Sequence, residues 1–95
     1  MLTLNVTYHC KPGQREAFYQ ALCDLGARAV SITEKGNHKY DYFFDAQDPD
    51  ALFLLEKWET AEDLAAHSAT DSFAKLQELK KVYCEGVDLD KFFTE

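Results

Sequence analysis

Apolar and polar residues alternate at the start of the chain. Leu2, Leu4, Val6 and Tyr8 interleave with Thr3, Asn5, Thr7 and His9, the period-2 pattern of a strand. Lys11-Pro12-Gly13 ends it, since proline removes a ladder donor and glycine permits a tight turn. From about Gln14 to Thr33 the period changes. Phe18, Leu22, Leu25, Ala29 and Ile32 recur at three- and four-residue steps, which predicts one long amphipathic helix. Gly26 lies inside it as a weak point that allows close packing or a bend, and Gly36 reads as a C-cap. His38 to Phe44 returns to period 2, with Tyr40, Tyr42 and Phe44 on one parity and Lys39 and Asp41 on the other.

The stretch 45–50, Asp-Ala-Gln-Asp-Pro-Asp, is a turn by composition. The near-continuous apolar run from Ala51 to Leu55 then predicts a strand to Glu59 with burial on both faces, paired with its predecessor as a hairpin. Thr60 is a natural N-cap, with Glu62 and Asp63 in the first turn of a helix reaching His67. The pattern breaks at Ser68-Ala69-Thr70. A second helix, capped by Thr70 or Asp71, runs to about Val82, with Phe73, Leu76, Val82 and Tyr83 as its buried contacts. Val87 to Phe93 is a weak final strand. The order β-α-β-β-α-β predicts a single α+β domain over 1–95 with the ferredoxin-like arrangement, a four-stranded antiparallel sheet with its helices on one face.

That arrangement leaves one sheet face uncovered. The first strand carries Leu2, Leu4, Val6 and Tyr8 on one side, and the other strands show aromatics on both parities. Two apolar faces cannot both stand in water without a large exposed patch. Packing two sheets face to face closes a dimeric α/β-barrel, so a homodimer is expected, with Leu4 and Val6 turned toward the partner.

Composition narrows the functional classes. The 95 residues are 46% hydrophobic and 14% aromatic, ample for a small core. The net charge of −7 disfavours nucleic acid and anionic membranes. No apolar run approaches the roughly 18 residues of a membrane span. Three cysteines, Cys10, Cys23 and Cys84, with no C-x-x-C pair and no signal-peptide pattern, suggest a reducing cytoplasm rather than a disulfide framework. There is no glycine-rich phosphate loop, no dinucleotide fingerprint and no metal-ligand spacing around His9, Cys10 and His38, so no cofactor is expected.

Several segments, in order, resemble the antibiotic biosynthesis monooxygenase superfamily. Lys11-Pro12-Gly13 closes the first strand, and Glu16-Ala17-Phe18 opens the helix. Glu34-Lys35-Gly36-Asn37-His38-Lys39-Tyr40 is similar to the family's E-x-G-N-x-x-Y stretch. The firmest signature runs from Leu55 to His67, with Glu56-Lys57-Trp58, an acidic helix start and Ala66-His67. The resemblance implies a homodimer acting on a small molecule. Members include cofactor-independent oxygenases of polycyclic phenols, quinol monooxygenases, an isomerase of phosphorylated autoinducer-2, and haem degraders. The haem degraders' asparagine matches Asn5, but their tryptophan position falls on His67 and their histidine position near Gln77. The quinol-oxygenase and isomerase branches fit better.

His67 is the first candidate for catalysis, a base near neutral pH that takes a proton from a phenol or enediol. The alternative is a structural histidine at the helix break. Asn5 is an amide among strand formers, suited to hold a substrate oxygen, or else a buried amide bonded to a loop. Trp58, Tyr40, Tyr42, Phe44 and Phe73 are candidate substrate-lining aromatics, or simply core and sheet packing. If Leu4 and Val6 face a partner, strand alternation turns Asn5 toward the helices, where His67 would join it in one pocket. The function expected is a cofactor-independent monooxygenase of phenolic or quinol-type substrates. The alternatives are an isomerase of a small phosphorylated carbonyl compound and a non-catalytic dimeric binding domain.

Overall fold

Eight elements follow one another in the computed structural model, which describes residues 1–94. They are β1 (Leu2–Cys10), α1 (Arg15–Leu25), α2 (Ala27–Ser31), β2 (Asn37–Phe44), β3 (Ala51–Trp58), α3 (Ala61–Ser68), α4 (Asp71–Tyr83) and β4 (Cys84–Phe93). The strands form one antiparallel sheet in the order β2-β3-β1-β4. This is the expected ferredoxin-like α+β domain.

The faces of the sheet are assigned the opposite way to the expectation. Leu2, Leu4, Val6 and Tyr8 are buried against the helices of the same chain. Tyr8, for instance, meets Phe18 of α1 edge-on, with ring centroids 5.3 Å apart. Leu52, Leu54, Glu56 and Trp58 lie opposite them on β3, and Tyr40, Tyr42 and Phe44 continue the row on β2. The helices must be covered before any partner is, and the richest apolar parity goes to that task. The outer face carries Thr3, Asn5, Thr7 and His9 on β1, with Phe53 and Leu55 on β3, Phe43 on β2 and Phe92 on β4. In the run Ala51–Leu55, Leu52 and Leu54 are buried toward the helices, while on the other parity Ala51 is buried and Phe53 and Leu55 are half-buried.

The first helix is two helices. Gly26 takes a left-handed conformation (φ 77°) and its N–H bonds back to Leu22 and Cys23, closing α1. The turn resets the phase of the apolar stripe. Phe18 and Leu22 stay buried, but in α2 the buried residues are Ala27 and Ser31, while Ala29 and Ile32 are exposed. Similarly, Val82 at the end of α4 is exposed, and Leu76 is the buried residue of that helix. The final strand is longer than predicted, pairing with β1 from Cys84 to Phe93 across a bulge at His9/Cys10. No helix among the described residues is long and apolar enough to cross a membrane.

Candidate functional site

A cavity of about 250 Å³ opens between the sheet and the α3–α4 pair. Its floor is Leu4, Val6 and Tyr8 of β1 with Glu56 of β3. Its walls are Leu64, His67 and Ser68 of α3, Phe73 and Lys80 of α4, and Val87, Leu89 and Lys91 of β4. A shallower groove of about 470 Å³ shares Leu64, Ser68 and Lys91 with it and continues along α3 toward Phe93, but adds no ionisable group. The smaller cavity, where acids, bases and cations converge on an apolar floor, is the candidate site.

His67 is placed by two caps. Thr60 accepts from the backbone N–H of Asp63 at 3.1 Å and starts α3. At the far end the Thr70 hydroxyl donates to the His67 carbonyl (2.8 Å) and accepts from the Phe73 N–H (3.1 Å), which fixes the break between α3 and α4. The ring of His67 is buried and lies against Trp58 with centroids 4.7 Å apart. Tyr40 and Phe73 approach it edge-on at 5.8 and 5.4 Å. Its Nδ1 donates to Glu34 Oε1 at 2.5 Å. With Nδ1 engaged by the carboxylate, Nε2 is the nitrogen left for a ligand.

Glu34 reaches this position from the turn after α2. Gly36, at φ 80°, turns the chain into β2, and its carbonyl accepts from the Glu59 N–H at 2.7 Å. Glu56 is a buried carboxyl on the cavity floor, with Trp58 Nε1 donating to its Oε1 at 3.1 Å. Burial pushes its pKa up, while the Trp58 bond and nearby His67 pull the other way. Burial also raises Tyr8 well above the ordinary tyrosine range and lowers Lys80. No group of three or more His, Cys, Asp or Glu among the described residues is arranged to hold a metal.

The predicted site residues separate. His67 and Phe73 line the cavity. Trp58 and Tyr40 are fully buried behind His67 and shape its setting without lining the cavity. Tyr42 and Phe44 line a different hollow, with Tyr19, at the β2 edge. Asn5 sits on the outer face, paired with Leu55 and Asp90, so the expected convergence of Asn5 with His67 in one subunit does not occur. It failed because the β1 parity was inverted. Sequence reasoning passed over Glu34, Glu56, Tyr8, Lys80 and Lys91. Glu56 had a visible signal: it is a carboxylate on the same parity as Leu52, Leu54 and Trp58.

The family model for antibiotic biosynthesis monooxygenase matches residues 1–79. The chain belongs to the antibiotic biosynthesis monooxygenase family. Among solved structures, PA3566 from Pseudomonas aeruginosa is 28% identical with a TM-score of 0.88, over 99% of this chain and 93% of that one. A Nitrosomonas europaea protein named for the same family is 26% identical, with a TM-score of 0.87 over 99% and 98% of the two chains. A Bacteroides thetaiotaomicron protein of unknown function, described as a possible oxidoreductase, is 33% identical with a TM-score of 0.83 over 96% and 94%. No curated protein matches the sequence.

Proposed function

We propose that this family member is a cofactor-independent monooxygenase of small phenolic or quinol-type substrates, with His67 as the general base. The observation that carries the reading is the Glu34–His67 pair beside an apolar cavity. Glu34 fixes the ring and stabilises the imidazolium, and Nε2 takes the phenolic proton. Lys80, lining the same cavity, offers a positive charge to the phenolate. The electron-rich anion passes one electron to dioxygen, and the radical pair recombines to form a carbon–oxygen bond as a hydroperoxide. Loss of water then leaves a quinone. Both hydrogens of that water and both electrons come from the substrate, so one oxygen atom is inserted and the other is reduced. The apolar walls keep water from the anion.

Oxygen uptake on a panel of hydroquinones and polycyclic phenols tests this directly, with His67→Gln as the control. Turnover should fall about 100-fold or more in the variant if Nε2 is the base. Uptake unchanged by His67→Gln would remove the assignment. A second reading is supported by Lys80 of α4 and Lys91 of β4, two cations lining the same cavity. They suit the phosphate of a phosphorylated carbonyl compound, for which the same base would move a proton without oxygen. Cytoplasmic location and a homodimer complete the proposal. The outer sheet face supports the dimer, because Phe43 and Phe53 are cross-strand partners there, with Leu55 and Phe92 on the same side.

A further inference from the structure

Glu56 is a buried ionisable group that the proposed chemistry leaves unused. It sits on β3 between Leu54 and Trp58, faces the helices, and is only 6% exposed while lining the cavity. A carboxylate buried to this degree needs a cation in contact or several donors. Among the described residues it takes part in no ion pair, and the Trp58 indole N–H donates to it. The charged or titratable groups that share the cavity are His67 from α3, Lys80 from α4, Tyr8 from β1 and Lys91 from β4, with Glu34 behind His67. Trp58 couples the two ends of the site. Its ring packs on His67, and its N–H holds Glu56, so one rigid side chain sets both positions.

We infer that Glu56 is a neutral carboxylic acid that donates a hydrogen bond into the cavity, and that the ligand therefore carries an acceptor oxygen as well as the hydroxyl presented to His67. This ligand class rests on the phenol reading of the cavity. A protonated carboxyl has one O–H to give, and burial outside any ion pair among the described residues favours that neutral form. The class is then a hydroquinone or a hydroxyaryl ketone rather than a simple alkylphenol. A site built to bond a second oxygen discriminates strongly against a ligand that lacks it, because the donor is left unpaired. The sign of the pH dependence follows from the direction of the shift: burial raises the Glu56 carboxyl, so the donor persists to higher pH than in a free glutamate and is lost as pH rises further.

Two measurements test the inference. Infrared difference spectra of wild type against Glu56→Gln at neutral pH should show a buried carboxylic-acid C=O band present only in wild type, disappearing as pH is raised. Calorimetry under nitrogen would compare 4-hydroxyacetophenone with 4-ethylphenol, which match in shape but differ in the acceptor oxygen. Wild type should prefer the ketone. That preference should fall about tenfold or more in Glu56→Met, which keeps length but has no donor, and survive in part in Glu56→Gln, whose amide N–H still donates. Whatever preference remains in Glu56→Met belongs to the phenol's own acidity at His67. An absent acid band, or a preference untouched by Glu56→Met, overturns the inference. If neither compound binds, the phenol reading fails, and the infrared band still decides whether Glu56 is the acid.

Discussion

Replacing Gly36 by alanine perturbs the turn that delivers Glu34 to His67, and its cost can be worked from two neighbouring facts. Gly36 lies at φ 80°, where a Cβ costs about 1–2 kcal/mol. That Cβ would also fall 2.5 Å from Cγ and 2.9 Å from Cβ of Asp63, and closer still to its Oδ2. Asp63 cannot simply swing away. It is buried, and its backbone is held in the first turn of α3 by the Thr60 cap. Forcing the overlap adds about 1–3 kcal/mol, as overpacking does elsewhere. Gly36→Ala should therefore destabilise by about 2–5 kcal/mol. Gly26 is the internal control, with nearly the same φ of 77° and nothing within 4 Å of an added Cβ. Gly26→Ala should cost only the backbone part, about 1–2 kcal/mol. Urea unfolding at neutral pH, with unchanged m-values, reads both. In the double variant with Asp63→Ala, part of the Gly36→Ala cost should return. Equal costs for the two glycine variants would refute the reasoning, because the close approach to Asp63 is the feature that separates them.

Two further outcomes follow from the packing. Trp58→Phe keeps a ring against His67 but removes the donor to Glu56, so it should destabilise by about 1–3 kcal/mol in denaturant titration, whereas a loss too small to measure would mean that Glu56 draws nothing from that bond. Phe53→Glu places a charge in the middle of the outer sheet face, so sedimentation equilibrium should show wild type at twice the chain mass and the variant at the monomer mass, and a wild-type monomer at micromolar concentration would end the dimer proposal.

His67→Ala is a poor probe of catalysis in this fold. The ring fills space among Trp58, Tyr40 and Phe73, and its removal leaves Glu34 without its partner. A loss of activity in that variant would mix chemistry with a cavity and an unpaired carboxylate. His67→Gln retains more of the volume and an amide N–H donor for Glu34.

Local pattern determined much of this protein. Period 2 located β1, β2 and β3, and Thr60 and Thr70 marked the starts of α3 and α4 because a hydroxyl cap acts within three residues of itself. The order of elements then left the ferredoxin-like sheet as the natural solution, and His67 followed from its place at the end of α3. What a strand's period cannot say is which parity turns inward. Both sides of β1 could be buried, one by helices and the other by a partner, and only the assembled sheet sends Leu4 and Val6 to the helices and Asn5 away from His67. The same holds for Glu34, which is 33 residues from His67 in sequence yet bonded to it, and for Glu56, Lys80 and Lys91, drawn from three elements to one cavity. Alternation and capping act between near neighbours along the chain, so sequence discloses them. A site is made by side chains that meet only when sheet and helices close on one another.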